Sequence, residues 1–96
     1  IFEDIPFPIL AVDHEAVVML GNKMAFDLFP KLELKIGSPL CFPSTQDMQA
    51  VLSRVIESGA QQQVEVRTEN GRDIKAQFSP FSGSYRGKGA IITLSP

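Results

Sequence analysis

Two short runs near opposite ends of the chain, Ile9-Leu10-Ala11-Val12 and Ala90-Ile91-Ile92-Thr93-Leu94, place apolar residues on both sides of a strand's alternation. Successive strand side chains point to opposite faces, so a strand apolar on both sides belongs in the interior of a sheet. Other runs behave differently. Val64 and Val66 alternate with Gln63, Glu65 and Arg67, while Ile74, Ala76 and Phe78 alternate with Asp73, Lys75 and Gln77. Each of those strands has one wet face. The first and last strands are therefore expected side by side at the centre, with their hairpin partners outside them. The result is an α+β fold with a five-stranded antiparallel sheet in the order 2-1-5-4-3.

The register of the hairpin between the third and fourth strands can be argued from its apolar face and its charges. A two-residue turn at Asn70-Gly71 would set Val66 against Lys75 and mix the two faces. A three-residue loop, Glu69-Asn70-Gly71 with Gly71 left-handed, sets Val66 against Ile74 instead. It also pairs Glu65 with Lys75 and Arg67 with Asp73, each pair contributing ~0.2–1 kcal/mol. The longer loop is expected.

Between the second and third strands lie two helical signals. Ala16 to Leu20 reads as the second strand, after punctuation at Asp13-His14-Glu15. Gly21-Asn22 then ends it, and Asn22 is placed to cap a short helix carrying Met24, Ala25 and Leu28 at helical spacing, stopped by Pro30. Residues 31 to 43 contain Gly37, Pro39 and Pro43 and read as irregular. Met48, Val51, Leu52, Val55 and Ile56 then follow the i, i+3, i+4, i+7, i+8 pattern of one helix face. Ser44 or Thr45 can cap that helix, and Gly59 can end it. Both helices are expected on one face of the sheet. Ser82 to Gly89 reads as a flexible connection into the last strand.

Bulk properties narrow the function. The chain has 96 residues, 44% hydrophobic and 21% charged, as one globular domain over residues 1–96 requires. It starts at Ile1 and stops on a strand-like run, and is expected to be a segment of a longer protein. No apolar run approaches the ~20 residues of a membrane span, so no membrane contact by this segment is expected. With a net charge of −2 and scattered basic residues, phosphate neutralisation has little to work with, and no nucleic-acid binding is expected. One cysteine, Cys41, excludes an internal disulfide or a multi-cysteine metal site and is compatible with a cytoplasmic setting.

The order of elements, together with "PILAVDHEAVVMLGNKMAFDLF", resembles the PAS sensory domain. That family opens with a strand ending in Asp, a turn, a second strand, and Asn leading into a short helix that ends in an aromatic. Asp13, Asn22, Ala25 and Phe29 stand in those places. "KIGSPL" resembles the family's next turn and "KGAIITL" its final strand, so the resemblance spans essentially the whole chain. It is closest to the plain domains of bacterial signalling proteins and regulators. The resemblance implies a sensory or dimerisation module that relays a signal to an output domain in the same protein, such as a histidine kinase, a diguanylate cyclase or a DNA-binding regulator.

The resemblance also says what to look for. The family's haem sensors supply a histidine from the long helix, but residues 46–58 contain none, and His14 falls in a turn. Its flavin photosensors use an Asn-Cys-Arg-Phe type motif. Here the stretch is Pro39-Leu40-Cys41-Phe42, without the asparagine or the arginine, so Cys41 reads as a small buried hydrophobe. Neither haem nor covalent flavin is expected, and no cofactor is assigned. One histidine and no nucleophile–base pair argue against an enzyme. Gly83 to Gly89 has glycines and Lys88, but no Ser or Thr follows that lysine and the stretch enters a strand, unlike a phosphate loop. An apolar pocket between sheet and helices is the remaining candidate site, lined by Met19, Phe26, Met48, Leu52, Val55, Phe78 and Ile92. It leads to a second reading, a receptor for a small molecule or a noncovalently held flavin. Apolar residues on the sheet's other face are expected to be covered by a second copy in a homodimer, or by an N-terminal helix to which Ile1, Phe2 and Ile5 belong.

Overall fold

Residues 9–13 and 89–95 lie side by side, with Leu10 opposite Ile92 and Val12 opposite Ala90. The structure, a computed structural model, describes residues 6–28, 35–40, 47–68, 71–85 and 87–95. Its strands are β1 (Ile9–Asp13), β2 (Val18–Gly21), β3 (Gln62–Arg67), β4 (Asp73–Pro80) and β5 (Gly89–Ser95). Its helices are α1 (Lys23–Leu28) and α2 (Met48–Ser58), and a turn of 3-10 helix at Gly83–Tyr85 lies within the expected flexible connection. The sheet is antiparallel throughout, in the order β2-β1-β5-β4-β3.

Cross-strand rows assign the two faces. Gly21, Leu10, Ile92 and Phe78 stand in one inner row. Leu20, Ala11, Ile91 and Ser79 stand in the neighbouring outer row. The inner rows face α2, which packs on β4 and β5 through Val51, Leu52 and Val55. Ile56 is half-buried at the border of this core. Asp47 caps α2 by accepting the Gln49 N–H at 3.0 Å, two or three residues after the expected cap. Ser44 and Thr45 lie outside the described residues. Gly59 ends the helix at φ 70°, its N–H bonded to the Val55 carbonyl.

The β3–β4 hairpin has the expected register: Val66 faces Ile74, Glu65 faces Lys75, and Arg67 faces Asp73. Gly71 has φ 81°, and Thr68 accepts its N–H while donating to the Arg72 carbonyl. The β1–β2 turn is built similarly without glycine. Asp13 accepts the N–H groups of Glu15 and Val17 through its carboxylate, and Ala16 takes the left-handed position at φ 64°.

β2 departs from plain alternation. Its pairing with β1 shifts between Ala11 and Val12, which leaves Met19 as an extra residue in a bulge. Val18 stays inside, whereas Met19 and Leu20 are 44% and 49% exposed. Strand alternation alone puts Met19 inside, and the bulge corrects that expectation. Nor is all of the connection after α1 irregular. Ser38 accepts the Val18 N–H, Gly37 donates to the Val18 carbonyl, and Leu40 donates to Ala16, so residues 37–40 close the outer edge of β2. Met24, expected among the apolar residues of α1, is 46% exposed, and Ala25 is the buried residue of that helix.

Asn22 joins three segments. Its Oδ1 accepts the Ala25 N–H at 3.1 Å, capping α1, and the Ile9 N–H at 3.2 Å, at the start of β1. Its Nδ2 donates to the Phe7 carbonyl at 2.7 Å. Gly21, just before it, leaves room for its neighbours. A Cβ there would sit 2.6 Å from both the Leu10 and the Phe26 side chains. A Cβ on Gly89 would run into the Val12 carbonyl oxygen.

These contacts predict the effects of four substitutions on stability. Gly89→Ala should cost about 3 kcal/mol or more in a urea titration, as a rigid backbone clash. Gly83→Ala, with φ 66° and open space around it, should cost only about 1–2 kcal/mol. Asn22→Ala should cost about 2–4 kcal/mol, the cap plus buried groups left unpaired. Asn22→Asp keeps the acceptor but loses the donor to Phe7, so it should fall between wild type and Asn22→Ala. Wild-type stability for Asn22→Asp would reduce the residue to a helix cap.

Candidate functional site

The inner face of the sheet and the two helices enclose one apolar cluster. Met48, Leu52, Val55, Phe78 and Ile92 are buried members, and Phe26 packs against it from α1. Met19, the seventh residue expected there, is on the outside because of the bulge. Each of the six reaches the cluster for a local reason. Helical spacing brings Met48, Leu52 and Val55 to one side of α2. Phe78 and Ile92 are direct cross-strand partners. Phe26 approaches because Gly21 has no side chain.

The cluster offers dispersion contact and little else. Asn22 and Thr68 are the buried polar residues among those described, and both are engaged in hydrogen bonds. No buried side-chain N or O atom among the described residues lacks a partner. His14 lies in the β1–β2 turn, exposed, with its Nε2 3.7 Å from a Glu15 carboxylate oxygen. Cys41 lies outside the described residues. Among the described residues, no group of three or more His, Cys, Asp or Glu is placed to hold a metal ion. No described helix is long and apolar enough to cross a membrane.

The outer face of the sheet is divided. Toward β2 it carries Leu20, Ala11 and Ile91 in one row and Ile9 in the next. Toward β3 it carries Gln77, Lys75, Gln63, Glu65 and Arg67. Phe7, 43% exposed, precedes the apolar half in the chain. Residues 1–5, including Ile1, Phe2 and Ile5, lie outside the described residues.

A shallow groove of about 500 Å³ opens at the far end of α2, lined by Ile56, Ser58, Gln61, Ser79, Phe81 and Ser82 among others. Sequence reasoning missed it. Its walls are about 20 residues apart in the chain, and only the β3–β4 register, with Gln62 opposite Phe78, could have placed them together.

No family model matches this sequence, and neither does any curated protein. Solved structures do. The PAS domain of the histidine kinase ThkA is similar over 92% of this chain and 96% of its own, with 24% identity and a TM-score of 0.68. The PAS domain of a Colwellia psychrerythraea protein is similar over 97% of this chain and 87% of its own, at 20% identity and a TM-score of 0.72. A phage VqmA–DPO complex reaches a TM-score of 0.75 at 20% identity, covering 98% of this chain and 48% of that one. This chain thus spans about half the length of VqmA. At such identities the likeness establishes the fold, which is the PAS fold.

If the cluster is close-packed, Leu52→Trp should lower stability by about 1–3 kcal/mol through overpacking. An unchanged urea midpoint would show that α2 and the sheet enclose free volume large enough for a ligand.

Proposed function

We propose that this domain is a non-catalytic sensory and dimerisation module, passing a signal to an output domain elsewhere in the protein. The observation that carries the reading is the apolar half of the outer sheet face. Leu20 and Met19 are substantially exposed there beside half-buried Ile91, while Ala11 and Ile9 of the same face are buried. Monomeric domains seldom leave such a patch open, so a second copy is its expected cover. Similar folds in the histidine kinase ThkA and in VqmA support a place in signalling. DNA is present in a complex of Vibrio cholerae VqmA, but this segment, with a net charge of −2, is assigned no contact with nucleic acid. It is assigned to the cytoplasm, a setting compatible with its single cysteine.

One observation favours a second reading, a small-molecule receptor. VqmA bound to DPO has the same fold over 98% of this chain, at 22% identity. A ligand between sheet and helices here would meet Met48, Leu52, Val55, Phe78, Ile92 and Phe26. Asn22 and Thr68 are already engaged, so a small, mainly apolar molecule suits the cluster better than a flavin with its polar ring edge.

Sedimentation velocity at high micromolar concentration tests the first reading. The folded chain should associate, and the double variant Leu20→Lys/Ile91→Lys should weaken that association by at least about tenfold, since it buries four charges per dimer. Undiminished association of the variant overturns the outer-face reading. Native mass spectrometry of the purified protein tests the second. A defined mass beyond that of the chain supports a receptor, and the bare chain after exposure to candidate apolar ligands counts against it.

A further inference from the structure

The sheet has two edges, and they are finished differently. At β2 the edge carries a bulge and is closed by backbone bonds from residues 37–40. At the other end of the order stands β3, paired on its inner side with β4. β3 is six residues long and has no proline and no inward-pointing charge: its inner positions are Gln62, Val64 and Val66. Those are devices by which edge strands normally discourage pairing, and β3 lacks them.

Its charges are instead arranged to attract another β3. Thr68 donates its N–H to Arg72, so the backbone groups of the even-numbered β3 residues turn toward β4. By alternation, those of Gln63, Glu65 and Arg67 turn away from it. Consider two copies meeting antiparallel about a two-fold axis at Val66. Val66 then faces its own copy, Val64 faces Thr68, and Glu65 faces Arg67 on each side of the axis. The Glu65–Arg67 positions become hydrogen-bonded pairs, exchanging two N–H···O bonds each.

The side chains fit the same register. Glu65 already faces Lys75, and Arg67 already bonds Asp73 at 3.2 Å. Across the junction the outer row would read Lys75, Glu65, Arg67, Asp73, with charges alternating in sign through both sheets. Moving the axis to Glu65 would set two glutamates face to face. Moving it to Val64 would set Glu65 against Gln63 and lose the ion pairs. One register is favoured over its neighbours, and a solvated edge with random charges would not do this. We propose that β3 is a self-complementary edge through which a second copy of this chain continues the sheet, centred on Val66. The contact is separate from the outer-face dimer and does not rest on it. Its short length places it among weak interfaces, formed at high local concentration.

The test uses the chain carrying Leu20→Lys/Ile91→Lys, so that the outer face does not contribute. Sedimentation equilibrium at high micromolar to millimolar concentration should show residual dimers. Adding either Glu65→Arg or Arg67→Glu should weaken them at least about tenfold, because both pairs across the axis become like-charged. An equimolar mixture of the two variants should restore association, since each charge then meets its opposite in the heterodimer. Failure of the mixture to associate more than either variant alone overturns the proposal. A second measurement needs no substitution. In the unaltered chain, amide exchange at Glu65 and Arg67 should slow as concentration rises, and exchange independent of concentration up to the millimolar range overturns it equally. Protection that appears only with an added extended peptide would assign the edge to a different partner and would also overturn it.

Discussion

The arrangement of residues 6–28 depends on the amide of Asn22. A chain that leaves a sheet to form a helix over its inner face exposes N–H groups where no water can reach them. Asn22, 1% exposed, answers with one oxygen shared between the helix start and β1, and one nitrogen bonded to Phe7. A serine or threonine could supply the oxygen but not the two-donor nitrogen. Helix α1, the entry into β1 and the end of β2 therefore meet at a single side chain, which adds to the β1–β2 ladder and the backbone bond from the Asn22 N–H to the Ile9 carbonyl. Gly21 lets Leu10 and Phe26 close over that junction, so polar bonding and apolar packing meet at adjacent residues.

Much of this was legible in the sequence because the strands differ in kind. Two-sided apolar runs had to be central, and the charges of the hairpin had to pair, so strand order and register followed. The same reasoning located α2 by its periodicity. It failed where a local irregularity intervened. Plain alternation through β2 puts Met19 inside, and a bulge has no clear mark in "VVMLG". Ser44, Thr45 and Asp47 are all good cap types, so the sequence alone does not single out Asp47, which caps α2. The pairing of residues 37–40 with β2 was hidden by Gly37 and Pro39, which read as breakers yet sit comfortably on a sheet edge.

The candidate site was legible only in part. Six side chains do gather between sheet and helices, but gathering is what any core does. The groove at the end of α2 joins residues distant in sequence and could not be seen without the register. The outer face was easier, since apolar residues on both sides of a strand demand two covers and the helices provide one. Its division into an apolar half near β2 and a polar half near β3 follows from strand order: central strands are apolar on both sides, and the hairpin is not.

The bulge at Met19 has a consequence for how chains of this fold diverge. Between the turn at Asp13 and the fixed amide of Asn22, β2 carries one residue more than its partner requires. An insertion or loss there can be taken up by the bulge, leaving the start of α1 where it is and the inward positions of Val18 and Gly21 intact. Two such proteins can then differ in spacing and share few identities over this stretch while superimposing well. Strict alternation counted from Asp13 misassigns Leu20 and Gly21, and counted backward from the asparagine it misassigns Met19 and Val18, so each end is a sound reference only as far as the bulge.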